Sequence, residues 1–143
     1  MSTTGFERKG WDVDANDVIR LPFATSTPAI ARTRLASFLT RHRATTQVID
    51  NALIVISEMI ANAVSHGSPD VDGSIEISWS IQGDLLELSV LDGGEGATLT
   101  PIEFDEDSLS GRGLSIISRV ADRWWVDMEQ GTRVHAALSL SAQ

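Results

Sequence analysis

The chain has 143 residues, 42% of them hydrophobic, a formal net charge of −9 and no cysteine. At that length one domain with a real core is the simplest organisation, and disulfides, a thiolate nucleophile and cysteine-ligated zinc are excluded. With 11 Lys+Arg against 20 Asp+Glu, and Lys9 the sole lysine, the field opposes a nucleic-acid duplex. The arginines gather only at Arg32/Arg34 and Arg41/Arg43, which makes no basic stripe, so no nucleic-acid partner is expected. No apolar run approaches the roughly 20 residues that span a bilayer, and residues 1–10 lack the apolar stretch of a signal peptide. A cytoplasmic protein without a membrane partner is the expectation.

Residues 1–16 are polar and irregular and read as a loose arm, leaving 17–143 as a single domain. Val18 to Phe23 reads as a strand, with Ile19, Leu21 and Phe23 alternating and Pro22 pointing to a sheet edge. Thr27-Pro28 is a helix start, the hydroxyl capping and the proline in the first turn. Ala31, Leu35, Phe38 and Leu39 give that helix its buried side up to about Arg41. After a turn at residues 43–46 comes the longest periodic stretch. Val48, Ile49, Ala52, Leu53, Ile56, Met59, Ile60 and Ala63 recur at three- and four-residue steps, one apolar stripe at about 3.6 residues per turn. Glu58, Asn62 and His66 fall on a second face, with Asn51, Val55 and Ser65. That face lacks the paired charges of an ordinary solvated helix. Gly67 is suited to a left-handed helix end and Pro69 blocks continuation.

Beyond residue 73 the period switches to two. Ile75, Ile77, Trp79 and Ile81 form a half-exposed strand, Gln82-Gly83-Asp84 turns the chain, and Leu86, Leu88 and Val90 return it antiparallel. Leu85 and Leu91 add apolar residues to the other face, which marks the return strand as the more central one. Asp92-Gly-Gly-Glu-Gly96 follows, then a polar stretch with Glu103, Asp105, Glu106 and Asp107. Gly111-Arg-Gly-Leu114 opens a helix with Leu114, Ile117, Val120 and Ala121 inward. Trp124, Val126 and Met128, a turn at residues 129–131, and Val134, Ala136, Leu138 and Leu140 make a second hairpin. The pattern predicts an α+β domain with helices over one face of a sheet.

Several residues could serve a ligand. Asp92, at a strand end, can accept hydrogen bonds from an exocyclic amine. Gly94 and Gly96 permit close backbone approach. Gly111 and Gly113 at a helix start offer free N–H groups to phosphate, and Arg112 between them adds a charge-assisted donor. Gly131-Thr132 sits in a turn, where the Thr132 hydroxyl can reinforce a water or a base near Asp92. Each alone is more often a plain turn or corner; their order after a helix bearing Glu58 and Asn62 singles them out.

Glu58-x-x-x-Asn62, Asp92-x-Gly94-x-Gly96, Gly111-x-Gly113-Leu114 and Gly131-Thr132 resemble, in order, the N, G1, G2 and G3 boxes of the GHKL ATP-binding superfamily (Bergerat fold). The small size and Asn62-Ala-Val-Ser-His-Gly67 resemble most the anti-sigma factor serine/threonine kinases, the RsbW-like group. The resemblance spans roughly residues 17–140. It implies a two-layer α/β sandwich with a mixed, mostly antiparallel sheet and helices on one face. It implies ATP and Mg²⁺ as cofactors, Glu58 as general base and Asn62 as magnesium ligand. Asp92 then meets adenine with Gly94, Gly96 and Thr132 around it, and Gly111, Arg112, Gly113 and Leu114 close on the phosphates. The implied partners are an anti-anti-sigma (STAS-domain) protein, phosphorylated on Ser or Thr, and a sigma factor held inactive, with a homodimer expected from the group's habit. The alternative is a regulatory module that binds ATP and holds a partner without phosphoryl transfer. A P-loop, a dinucleotide fingerprint and the eukaryotic kinase signatures are absent, and residues 1–26 are too short for a histidine kinase's dimerisation helices.

Overall fold

In the computed structural model, residues 15–94 and 109–141 are described. The chain order is β1 (Ala15–Pro22), α1 (Thr27–Arg41), α2 (Thr46–His66), β2 (Ser74–Gln82), β3 (Leu85–Asp92), α3 (Leu109–Val120), β4 (Arg123–Asp127) and β5 (Thr132–Ser139). The five strands form one sheet in the order β1-β2-β3-β5-β4. Every described pairing is antiparallel, where a mixed sheet was expected. A tight turn makes the β2–β3 pair antiparallel. Gln82 pairs with Leu85 across Gly83-Asp84, and Gly83 at φ +61 supplies the positive dihedral that a two-residue hairpin needs at its first position. β3 is central and β1, the strand bearing Pro22, is an edge, as their patterns predict.

α2 forms because its stripe is continuous and because Thr45 caps it, accepting from Val48 N–H at 3.2 Å. Val48, Ala52, Val55, Ile56, Met59, Ile60 and Ala63 are buried. Against them lie Ile75, Ile77, Trp79 and Ile81 of β2 and Leu86, Leu88 and Val90 of β3, all inward by alternation. Burial of each such side chain is worth about 1.5–3 kcal/mol, far more than the helix propensity of the β-branched residues subtracts. By length and composition alone this 21-residue helix is long and apolar enough to cross a membrane. Its burial between α1, α3 and the sheet identifies it as the core helix.

The structure corrects several local expectations. Val55 belongs to the core at 0% exposure rather than to the polar face; the apolar stripe is simply wider than the minimal spacing. Thr27 does not cap α1: Ser26 is the N-cap without a side-chain bond, and the buried Thr27 hydroxyl donates to the Pro22 carbonyl. Gly67 ends α2 in extended conformation, φ −98, not left-handed. α3 begins at Leu109, two residues ahead of Gly111. β1 takes in Ala15 and Asn16 from the expected arm, whose residues 1–14 lie outside the described residues.

The sheet's other face carries side chains tied to one another. Ser78 and Ser89 hydroxyls meet at 2.6 Å, Arg133 reaches Ser89 and Glu76, and His135 lies between Glu87 (3.1 Å) and Asp127 (2.9 Å), stacked on Trp125. The hydrogen bond from His135 is the main cause holding the Asp127 carboxyl below its ordinary value.

Candidate functional site

β3 ends at Asp92 directly opposite Thr132, the first residue of β5. Alternation turns both toward the helical layer, and both are buried, at 3% and 1% exposure. Asp92 Oδ1 accepts from Gly94 N–H at 2.7 Å and from Ser68 N–H at 3.4 Å. Burial pushes the Asp92 carboxyl above the ordinary 3.8, and those two N–H groups offset part of the rise. A buried carboxylate with one oxygen engaged by backbone is an acceptor held ready for a donor.

Glycines make room around it. A Cβ on Gly67 would stand 2.5 Å from Asp92 Cγ and Oδ2, and one on Gly94 2.9 Å from Asp92 Oδ1. Gly131, at φ +126, brings its Cα so close that a Cβ would lie 2.3 Å from the Asp92 carbonyl oxygen. α2 therefore delivers its C-terminal end onto the carboxylate, which explains the extended exit at Gly67. Sequence reading assigned Gly67 to the helix end and passed over Gly93 and Ser68. Their role depends on a contact between segments some 25 residues apart, which no local pattern carries.

Three buried side-chain polar atoms have no partner among the described residues, and two of them belong to candidate ligand residues. Thr132 Oγ1 and Asn62 Nδ2 are buried with no hydrogen-bond partner. Such groups are costly to leave unpaired, by about 1–3 kcal/mol each, and they fit a ligand that brings its own polar atoms. Glu58, four residues before Asn62 and on the same side of α2, is half-buried and makes no hydrogen bond or ion pair among the described residues. His66 is exposed at the last turn.

The remaining candidates separate. Leu114 is in the hydrophobic core at 3% exposure, so only its backbone is left for a ligand. Gly111, Arg112 and Gly113 lie on α3, and Gly111 N–H is among the first four of the helix, which have no intrahelical acceptor. Gly96, Glu95 and the acidic residues 103–107 lie outside the described residues. Among the described residues no three His, Asp or Glu side chains form a metal-binding group. A cation at Asn62 would therefore need most of its oxygens from its ligand, as magnesium on a polyphosphate has.

Residues 22–138 match the histidine kinase-like ATPase domain. The chain belongs to that family. Among curated relatives, the anti-sigma F factor of Geobacillus stearothermophilus is 30% identical over 119 residues, covering 75% of this chain and 80% of that one. The serine-protein kinase RsbW of Listeria innocua is 27% identical over 128 residues, 81% of this chain and 82% of its own length. These relatives put the chain with the RsbW-like, GHKL-type members of the family. The fold matches the crystal structure of the RsbU and RsbW domains of Rv1364c from Mycobacterium tuberculosis, with a TM-score of 0.68 and 22% identity. The match covers 87% of this chain and 32% of that one. For a histidine kinase-like ATPase domain, the buried Asp92 carboxylate with its glycine collar, the unpartnered Thr132 hydroxyl opposite it and the unpartnered Asn62 amide on α2 are this chain's candidate ligand contacts.

Proposed function

We propose that the protein is an ATP-dependent protein serine/threonine kinase that also acts as an anti-sigma factor. It transfers phosphate to an anti-anti-sigma (STAS-domain) partner and sequesters a sigma factor, in the cytoplasm. The observation that carries this reading is the buried Asp92 acceptor, collared by Gly67, Gly94 and Gly131, beside the unpartnered Thr132 hydroxyl. An ionised carboxylate only accepts, so it selects a ligand edge that donates, as the 6-amino group of adenine does. Asn62, through its side-chain oxygen, is the magnesium ligand on this account, and Gly94, Gly96, Gly111, Arg112 and Gly113 line the nucleotide with Leu114 anchoring α3. Bound Mg²⁺·ATP supplies the transferable phosphoryl group and neutralises part of its charge.

The chain's own task is then positioning. Phosphoryl transfer asks for an aligned nucleophile and compensated charge more than for covalent help. Glu58 projects from the same face of α2 as Asn62, and its carboxylate takes the proton of the attacking Ser or Thr hydroxyl. The names of the relatives support this reading: one is an anti-sigma F factor and another a serine-protein kinase RsbW. The test is radiolabel transfer from ATP to a purified STAS-domain partner by wild type and Glu58→Ala. Retained ATP binding with lost transfer supports the kinase. Equal transfer by the two proteins removes Glu58 as the base, and capture of a partner without transfer by either leaves a holding module.

A further inference from the structure

The turn joining α2 to β2 is tied at both ends. At the near end Ser68 N–H donates to Asp92 Oδ1 (3.4 Å), and the Ser68 carbonyl accepts from Gly93 N–H (2.8 Å). The strap lies so close on β3 that a Cβ at Gly93 would stand 2.6 Å from the Pro69 carbonyl oxygen and 2.7 Å from Asp70 Cα. At the far end the Asp70 carboxylate organises its own loop. Its Oδ1 accepts from Asp72 N–H (3.2 Å), Ser74 N–H (3.3 Å) and the Ser74 hydroxyl (3.2 Å). Its other oxygen is ion-paired with Arg20 on the edge strand β1. Arg20 is held in turn by Ser74 Oγ at 2.9 Å and Glu76 Oε1 at 3.3 Å.

Arg20 and Asp70 side chains are 43% and 27% exposed, and a pair so open to water adds little to global stability. What it fixes is place. We infer that the Arg20–Asp70 pair is a latch that orients Asp92 for base recognition, acting through the strap 68–70. With Oδ1 engaged by Ser68 and Gly94, the oxygen beside Gly67, Oδ2, is the one presented to a ligand. Release of Asp70 frees the strap from Gly93, withdraws the Ser68 N–H and lets the carboxylate rotate. The inference rests on the reading that Asp92 meets the 6-amino group of adenine. Arg20 and Asp70 touch no nucleotide and are positioning residues.

Calorimetric titration with ATP and with ITP, which carries an oxygen in place of that amine, tests the latch. The proteins are wild type, Asp92→Ala, Asp70→Ala, Asp70→Asn, Arg20→Gln and Arg20→Lys, each also melted. Asp70→Asn keeps an oxygen for the loop N–H groups and removes only the charge, which guards against a misfolded Asp70→Ala. Wild type should favour ATP by about tenfold or more, because a site built for a donor rejects the analogue that lacks it. Asp70→Ala, Asp70→Asn and Arg20→Gln should lose roughly three- to tenfold in ATP affinity while ITP moves by less than about twofold, with Arg20→Lys near wild type. If these variants keep the wild-type preference while Asp92→Ala loses it, the latch is overturned and the base contact stands. If they weaken both nucleotides alike and melt early, the pair is only a structural tie. If wild type and Asp92→Ala treat the two nucleotides identically, the base contact fails and takes the latch with it.

Discussion

Gly67→Ala isolates the packing of α2's end on the candidate site. Gly67 has φ −98, which alanine adopts freely, so the substitution adds no backbone strain. It adds a methyl group 2.5 Å from Asp92 Cγ and Oδ2 and 2.7 Å from the Ala63 carbonyl oxygen. Ordinary contact begins at 3.4 Å, so about 0.9 Å of displacement is required. One neighbour is helix backbone, already bonded to Gly67 N–H at 2.7 Å, and the other is the buried carboxylate. Overpacking of this kind costs about 1–3 kcal/mol, which lowers the urea midpoint by roughly 1 M at ordinary denaturant slopes. Because the carboxylate is the softer neighbour, ATP affinity should fall by about tenfold or more. Gly83→Ala, in the β2–β3 hairpin, is the control: it has φ +61 and nothing within 4 Å of a Cβ, so it loses about 1–2 kcal/mol through its backbone alone and leaves ATP affinity unchanged. Urea melts and calorimetric ATP titrations of the two variants decide the matter. A Gly67→Ala protein with wild-type midpoint and wild-type affinity would refute the reasoning.

Asp92→Asn should stabilise the nucleotide-free protein at neutral pH. The raised Asp92 carboxyl binds its proton more tightly folded than unfolded, so its ionised form opposes folding above that raised value. The penalty fades as pH falls toward 3.8; urea midpoints at pH 7 and pH 4.5 should converge for the two proteins, and a less stable variant at pH 7 contradicts this. Thr45→Ala removes the cap on Val48 N–H and should cost about 1 kcal/mol, read from the thermal midpoint. Trp79→Phe removes a buried indole N–H that has no partner. Its loss should stay below about 2 kcal/mol, well under the 3–5 kcal/mol typical of a large aromatic cut to alanine; a larger loss means that the N–H is satisfied in solution.

Much of the fold could be read from periodicity. α2's stripe, the alternation in β2 and β3, and the edge proline of β1 each rest on neighbours in sequence, and each element formed where its pattern lay. The errors fell where tertiary contact overrides local preference. Gly67 looked like a left-handed helix end and is instead an extended residue pressed against Asp92. Thr27 looked like a cap and is a buried donor to Pro22. Of the site, Asp92 and Thr132 were legible as residues but not as cross-strand neighbours, because the order β3-β5-β4 is set by the crossover through α3. The strap from Ser68 to Asp70 had no signature, since its bonds run to β1 and β3.

The account stands on Asp92 as the acceptor that recognises the nucleotide base. Calorimetric titration of Mg²⁺·ATP into folded wild type and folded Asp92→Ala measures this most directly. Saturable binding by wild type that is lost in Asp92→Ala is the expected result. The same isotherm for both proteins, or no saturable binding by wild type, contradicts it.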